Sequence, residues 1–396
     1  MAQGRRGSGL KVLFVMGTRP EATKLAPIVT EMCRRPEVEA IVCSTAQHRE
    51  MLDQVVRVME IPVHYDLDVM QDNQGLFELT TTVLLRLRSV LEEVQPHIVL
   101  VQGDTTTAMV ATLASYYLKI PVGHVEAGLR TGDKYNPFPE EINRKLIDAV
   151  ADLCFAPTEG ARTNLRNEGV ADDRILVTGN TGIDALFYAI SRIKQRGSAS
   201  LLQDVVDALP PGLMASDQDA EPSRRSILVT THRRESFGAD LENICLALKR
   251  IANHNPDVDV LYVLHPNPHV QRTVRGALEG VPRVFLLDPM DYLPFVFLMQ
   301  RSYLVLTDSG GIQEEAPSFG KPVIVLRRTT ERTEGITAGT AVLAGVDADA
   351  IASITQNLLD DQRAYDRMVS VRNPYGDGHA AKRIVDGVID WFGRHD

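Results

Sequence analysis

The sequence predicts an α/β protein built from two Rossmann-like, doubly wound domains. Three observations carry that expectation. The chain has 396 residues, too many for one ordinary domain. Short, continuously apolar runs alternate with longer helical patterns, as they do in a parallel sheet covered on both faces. The alternation breaks once, over about 195–225, and then restarts. The predicted domains are 1–185 and 186–375, followed by a final helical segment at 376–396.

The elements follow in order. "LKVLFVMG" (10–17) reads as a buried strand ending at a glycine, and "PEATKLAPIVTEMCRR" as a helix with Leu25, Ile28, Val29 and Met32 on one face. "EAIVCSTA" is a strand, "REMLDQVVRVME" a helix, "GLFELTTTVLLRLRSVLEEVQ" a long helix and "HIVLVQGD" a strand. "TTTAMVATLASYYLK", "PVGHVEA", "PEEINRKLIDAVA" and "LCFAPT" continue as helix, strand, helix, strand. The segment from about 195 to 225 is rich in Ser, Pro, Gly and Asp and reads as a linker with a surface excursion. Beyond it "SILVTTH", "DVLYVLHP", "VFLLDP", "YLVLTDSG" and "PVIVLR" repeat the pattern, and "GDGHAAKRIVDGVIDWFGRHD" ends the chain as an amphipathic helix. In doubly wound sheets a ligand binds beyond the carboxyl ends of the strands, so the cleft between two such lobes is the expected site.

Composition narrows the function. Hydrophobic residues are 44% and charged residues 24%, a globular profile. The net charge of −10 speaks against a nucleic-acid or membrane-surface partner. It leaves room for a small anion held by a local cluster of cations and helix N-termini. No apolar run reaches the roughly 18–20 residues of a membrane span. The arginine-bearing N-terminus lacks the apolar stretch of a signal peptide, so the chain reads as cytoplasmic. Cys33, Cys43, Cys154 and Cys245 are scattered without a CxxC pair, so neither a disulfide framework nor a zinc site is expected. Cys33, Cys43 and Cys154 lie in or beside apolar runs and are expected to pack inside.

Polar clusters fall at strand ends. "GTRPEATK" (17–24) sets Arg19 and Lys24 about a helix start with Pro20 in its first turn, which suits an anion. It is not a Walker loop. Asp104 in "GDTTTA" sits where an N-cap would, or where an acid could face a ligand. "GHVEAGLRTGDKYNPFPEE" carries Glu126, Asp133, Glu140 and Glu141 without a metal-ligand or calcium-loop pattern. Glu141 reads as a helix-start charge and Asp133 as a loop residue, whereas Glu126 at a strand end has no such role. "THRRES" presents His232, Arg233 and Arg234 after a strand, either as groups facing the cleft or as a basic turn. "TDSGGIQEEA" places Ser309, Gly310 and Gly311 between a strand and a helix, where small residues let a diphosphate reach backbone N–H groups. Glu314 and Glu315 follow, as acids for ribose hydroxyls.

Ten motifs in one order carry a more specific resemblance: "GTRPEATKLAP", "TAQHREMLDQV", "GDTTTA", "HVEAGLRTGD", "PFPEEINR", "THRRES", "DYLPFV", "TDSGGIQEEAPSFGKPVIVLR", "TTERTEG" and "NPYGDG". Together they resemble the non-hydrolysing UDP-N-acetylglucosamine 2-epimerase family over about residues 10–390. The resemblance implies a B-type glycosyltransferase-like fold with a UDP-sugar in the cleft and the last helix packed back on the first domain. By motif position, Arg19 and Lys24 would hold the diphosphate, with Ser309, Gly310 and Gly311 on the phosphates and Glu315 on the ribose. Phe295, with the backbone of Met290, would bracket the uracil, and Arg332 would contribute from its loop. Asp104, Glu126, Glu140 and His232 would surround the sugar as the catalytic group. Neither cofactor nor metal is implied, and a homodimer is. Gln47, His48 and Gln54 would border a second, activating substrate molecule. Asn73, where some relatives carry arginine, speaks against strong activation of that kind.

The chemistry accounts for the residue types. The C2 proton of the sugar adjoins no carbonyl, so C1–O cleavage must acidify it. Loss of UDP then leaves a 2-acetamidoglucal, to which UDP readds with protonation from the other face. Cations must stabilise the departing diphosphate, and Arg19 and His232 are candidates. Acid–base groups are needed on both faces of the ring, and Asp104, Glu126 and Glu140 supply three carboxylates. A hydrolysing 2-epimerase, a UDP-sugar glycosyltransferase and a UDP-sugar sensor are the competing expectations.

Overall fold

The computed structural model describes residues 9–47, 49–70, 74–196, 209–210, 224–231 and 238–395. Within those ranges the side chains of Arg49, Glu50, Met51, Gln54, Arg196 and His395 are not described. The segment read as a linker lies almost wholly outside these residues. The chain divides into two compact units, Met1–Ala185 with Tyr375–Asp396, and Leu186–Pro374.

In the first unit, seven parallel strands are described: β1 (Leu10–Met16), β2 (Val38–Ser44), β3 (Tyr65–Asp66), β4 (Ile98–Gln102), β5 (Val122–Val125), β6 (Leu153–Ala156) and β7 (Ile175–Val177). Their order is β3-β2-β1-β4-β5-β6-β7. The helices between them are α1 (Arg19–Met32), α2 (Arg49–Val58), α3 (Leu76–Val94), α4 (Thr106–Tyr117), α5 (Glu140–Val150) and α6 (Glu159–Asn167), and α7 (Thr181–Arg196) follows β7 and continues into the second unit. All five residues of β4 are buried, as a strand covered on both faces requires. The core gathers Leu13, Val15, Val99, Val101, Ala108, Ile147 and Cys154.

The order reverses between β1 and β4, and that reversal is the topological switch point of the unit. The pair runs in register Val12↔Ile98 to Phe14↔Leu100, so the loops after both strands open side by side. Gly17 is obligatory there: a Cβ would lie 2.2 Å from the Thr45 hydroxyl and 2.5 Å from that of Thr107. Gly103 holds φ +70°, the left-handed region that favours glycine.

The last helix (Ala380–His395) belongs to the first unit. Asp184 accepts from the Ala380 and Ala381 N–H groups at 3.2 and 2.9 Å, which satisfies two orphan donors at its start. Arg35 of α1 donates to Asp386 at 2.8 Å on the same helix.

In the second unit, six parallel strands are described: β8 (Arg225–Thr230), β9 (Val258–Val263), β10 (Val284–Leu287), β11 (Leu304–Thr307), β12 (Val323–Val325) and β13 (Ala341–Leu343). Their order is β10-β9-β8-β11-β12-β13. The helices are α8 (Ala239–His254), α9 (Pro268–Leu278), α10 (Tyr292–Arg301), α11 (Gly310–Glu315), α12 (Thr333–Ala338), α13 (Ala348–Asp360) and α14 (Gln362–Val369). Here the switch point lies between β8 and β11, which end side by side at Thr230 and Thr307. Both sheets therefore place their ligand-prone edges at motifs the sequence singles out.

Several elements are not apparent from sequence. β3 has two residues and β7 and β13 have three, too few to show a period. α6 is nine residues dominated by polar side chains, with Ala161 and Leu165 alone among them buried. One cysteine departs from expectation. Cys43 and Cys154 are buried, as is Cys245, but Cys33 is exposed. It is the C-cap of α1, one residue past the buried Met32, where the chain turns out of the core. Burial pushes the three interior thiols up to about 12, so they behave as small apolar groups. Among the described residues no helix is long and apolar enough to cross a membrane.

Candidate active site

The first switch point gathers acids that are far apart in sequence. Glu126 follows β5 in left-handed backbone, φ +68°, a conformation uncommon for any residue but glycine. Its backbone N–H donates to the Phe155 carbonyl at 3.0 Å, which holds the turn. Three side chains converge on its carboxyl. Lys24 of α1 reaches Oε1 at 2.5 Å, Asn180 donates to the same oxygen at 3.1 Å, and Gln102 at the end of β4 donates to Oε2. Glu126 is 9% exposed, so these contacts form largely out of water. Lys24, expected at the diphosphate, stands here beside the carboxylate, while Arg19 is part-exposed at the first residue of α1.

Asp104 follows Gly103 after β4. Arg144 of α5 grips it, with Nη2 at 2.6 Å and Nε at 2.9 Å from Oδ2. The neighbouring Asn143 donates to the Asp104 carbonyl at 2.8 Å. The same Arg144 donates to Glu141 at 3.1 Å, so one guanidinium joins the two acids. Glu141 is therefore more than the helix-start charge its position suggests. It is fully buried and accepts from the Thr131 and Gly132 N–H groups at 3.0 and 3.1 Å. Burial alone would push its carboxyl up, but those amides and Arg144 outweigh it and hold Glu141 below the usual carboxylate range. Its work is to fold the loop that leads back to α5. Asp133 lies in that loop, exposed, accepting from the Tyr135 N–H at 3.0 Å.

Glu140, one residue earlier, is different. Its Oε2 is buried and has no hydrogen-bond partner among the described residues. Leaving a buried acceptor unpaired costs free energy, so the position is not explained by stability.

A buried triad supports these acids from behind. His124 in β5 sets Nδ1 2.6 Å from Asp148 and Nε2 2.7 Å from the Gly103 carbonyl, the residue before Asp104. Asp148 also accepts from the Gly128 N–H at 3.2 Å and from Arg130 at 2.7 Å. Burial raises Asp148, yet His124 and Arg130 outweigh it and hold the group below its ordinary value. Asp148 thus ties down residues on both sides of Glu126 and, through His124, the backbone before Asp104. These positioning groups escape the sequence reading because their partners lie 18 to 24 residues away. Gln102 and Asn180 leave a fainter signal, as polar residues at the edges of apolar or glycine-rich turns.

The second switch point is built from smaller groups. Thr230 and Thr307, the last residues of β8 and β11, share a hydroxyl hydrogen bond of 2.8 Å. Ser309 is the N-cap of α11, and its N–H donates to Thr307 Oγ1 at 3.0 Å. Gly310 is packed closely: a Cβ would come within 3.3 Å of the Arg332 guanidinium. Gly311 has no neighbour nearer than 4.0 Å to such an atom. Arg332 pairs with the buried Glu314 at 2.8 Å and with Glu331 at 3.2 Å. Glu315 is part-exposed, and Tyr292 donates to it at 3.3 Å. Phe295 sits part-buried in the first turns of α10, with Met290 part-exposed just before that helix.

His232, Arg233 and Arg234 lie outside the described residues, as do His48, Asn73 and the side chain of Gln54. Gln47 is described, and accepts from the Thr107 hydroxyl at 2.9 Å. Among the described residues no group of three or more His, Cys, Asp or Glu side chains is placed to hold a metal ion.

Comparison with known proteins meets this geometry at the level of the whole chain. The family model described as UDP-N-acetylglucosamine 2-epimerase matches residues 30–389. A Yersinia pestis protein named UDP-N-acetylglucosamine 2-epimerase is 51% identical over 376 residues, which is 95% of this chain and 97% of that protein. The Escherichia coli K12 protein of the same name is 50% identical over 96% of this chain and 98% of its own length. Among solved structures, the Neisseria meningitidis UDP-GlcNAc 2-epimerase bound to UDP-GlcNAc matches with a TM-score of 0.85 and 44% identity, covering 96% of this chain and 100% of that one. The Staphylococcus aureus MnaA–UDP co-structure matches with a TM-score of 0.82 and 42% identity, over 97% of each chain. Agreement over nearly the full length in sequence and in structure places this chain in the UDP-N-acetylglucosamine 2-epimerase family.

Proposed function

We propose that the chain interconverts UDP-N-acetylglucosamine and UDP-N-acetylmannosamine by reversible, non-hydrolysing epimerisation at C2. The relatives' activity supports the substrate. The state of Glu126 carries the residue assignment: an acid in left-handed backbone, fastened at both oxygens, at the edge where doubly wound sheets receive ligands. The buried Glu140 oxygen, without a hydrogen-bond partner among the described residues, supports a second acid–base group.

In this reading the C1–O bond to UDP breaks as the C2 proton passes to a carboxylate, leaving 2-acetamidoglucal and UDP. Protonation of C2 from the opposite face and readdition of UDP oxygen to C1 give the epimer. Glu126, Glu140 and Asp104 share the proton transfers, and Arg144 fixes the direction of Asp104. Arg19, Lys24 and His232 stabilise charge on the departing diphosphate. The second unit supplies the nucleotide contacts: Ser309, Gly310 and Gly311 for phosphate, Glu315 for ribose, Phe295 and Met290 for the base, with Arg332 beside them. The reaction needs neither NAD nor metal. A homodimer in the cytoplasm belongs to the same reading.

The test is the product. Purified protein is incubated with UDP-N-acetylglucosamine, and separately with UDP-N-acetylmannosamine, and followed by proton and phosphorus NMR. Both reactions are expected to converge on one mixture of the two UDP-sugars. Free N-acetylmannosamine with stoichiometric UDP would overturn the reading in favour of hydrolysis.

A further inference from the structure

Glu21 is a fully buried acid at the first switch point that the proton transfers above do not use. It is the third residue of α1 and reaches back to the helix entrance. Oε2 accepts from the Gly17 N–H at 3.0 Å, the Thr18 N–H at 2.8 Å and the Thr18 hydroxyl at 2.8 Å. A capping box would explain those contacts and nothing more. Two observations go further. Its other oxygen accepts from the Thr105 hydroxyl at 2.7 Å, across the switch point, on the loop that carries Asp104. The Thr105 hydroxyl in turn accepts from the Ala108 N–H at 3.0 Å, capping α4. A surface capping box is solvated, whereas burial here pushes Glu21 up to about 7 against four donors that pull it down. The facing groups are Gly17 and Thr18 from one loop and Thr105 from the other. The charged side chains closest along those segments are Arg19, Lys24 and Asp104.

We infer that Glu21 is a positioning residue, a strap that joins the loop after β1 to the loop after β4 and so sets Arg19 and Asp104 relative to each other. The inference rests on the proposed reaction only in naming what the strap positions. The two loops end neighbouring strands but belong to different βα units. The Glu21–Thr105 hydrogen bond joins them side chain to side chain. Cutting the strap from either end should release the same constraint, and cutting it twice should add little.

The experiment is a double-mutant cycle of Glu21→Ala and Thr105→Val, with Glu21→Gln and Thr105→Ser as conservative partners. The Gln carbonyl can accept from Gly17 and Thr18 while its amide donates to Thr105, so the bridge survives without charge. Turnover of UDP-N-acetylglucosamine is expected to fall on the order of 10²-fold in Glu21→Ala with KM changed far less, the usual cost of a slightly misplaced catalytic group. Thr105→Val should fall similarly and the double variant no further. Glu21→Gln and Thr105→Ser should recover most of the loss. Hydrogen exchange of the unliganded protein provides a readout that needs no activity. Each cut should speed exchange over both 17–19 and 105–108. Independent, multiplying effects would overturn the strap, as would faster exchange on the mutated loop alone. If Glu21→Ala does not fold, the Thr105 pair decides alone, by whether exchange over 17–19 rises in Val and returns in Ser. Coupled exchange in a protein that does not turn over UDP-N-acetylglucosamine would leave the strap standing and sink the reaction instead.

Discussion

The two switch points share a reversal of strand order and differ in the residues at the loop that follows. Each has a hydrogen-bonded pair of threonine hydroxyls: Thr45, just after β2, with Thr107 of α4 at 3.1 Å, and Thr230 with Thr307, the ends of β8 and β11, at 2.8 Å. At the first stand long charged side chains: Glu126 on Lys24 and Asp104 on Arg144 as ion pairs, and Glu21 held by backbone and hydroxyl donors of both loops. At the second stand Ser309, Gly310 and Gly311, which present backbone and one hydroxyl, with Arg332 close to Gly310 and paired with Glu314 and Glu331. The contrast teaches what each edge is suited to do. Proton transfer needs carboxylates held to fractions of an ångström, and crossed ion pairs supply that. Binding a diphosphate needs close approach to N–H groups, and small residues permit that.

The comparison breaks most readily at Glu126. Glu126→Gln is expected to lower turnover by roughly 10²–10⁴-fold and to lower the melting temperature, because Lys24 loses its buried partner, while UDP binding, measured by calorimetry, stays close to wild type. Wild-type turnover would remove Glu126 from the chemistry. Loss of UDP binding would mean that its edge also holds the nucleotide. The next largest effect concerns the support behind the acids. Asp148→Asn removes the carboxylate that His124 and Arg130 share, although Arg130 keeps Glu168 at 2.6 Å, and should cost roughly 1–3 kcal/mol in denaturant unfolding. A loss below about 1 kcal/mol would show that the triad does not fix the loops.

Glu21 gives a pH signature with a definite sign. Its folded value is raised from 4.5 to about 7, so its contribution to stability is fully present below 4.5 and is lost as pH rises through about 7. At roughly 1.4 kcal/mol per unit, wild type should lose up to about 3 kcal/mol relative to Glu21→Gln between pH 4.5 and 8. Parallel stability curves for the two proteins would contradict the burial argument. The smallest effect belongs to the other switch point. Gly310→Ala must push the Arg332 guanidinium by a few tenths of an ångström, and should weaken UDP binding by less than about tenfold. An unchanged constant would mean that Arg332 does not serve the nucleotide.

How much of this was legible in the sequence follows from distance along the chain. Apolar strands such as β1 and β4 announce themselves, and glycines and acids at their ends mark where a ligand would sit. Glu126 stands out in that way, whereas Glu140, at a helix start, is picked out by the family resemblance. The roles of Glu141 and Asp148 do not, because each is defined by partners that only folding brings near. Arg144 reaches Asp104 across 40 residues and Lys24 reaches Glu126 across 102. An acid at a helix start and an acid sealed inside a loop look alike until the loop is folded. His124 reads as one polar residue in a buried strand, and its two contacts carry no local signature.

The central claim is that the acids of the first switch point move the C2 proton. Wild-type protein is incubated with UDP-N-acetylglucosamine in D2O and the sugar region followed by proton NMR. The account predicts loss of the C2 proton signal, by deuterium incorporation, from both UDP-sugars. Epimer formed with its C2 proton retained would contradict it.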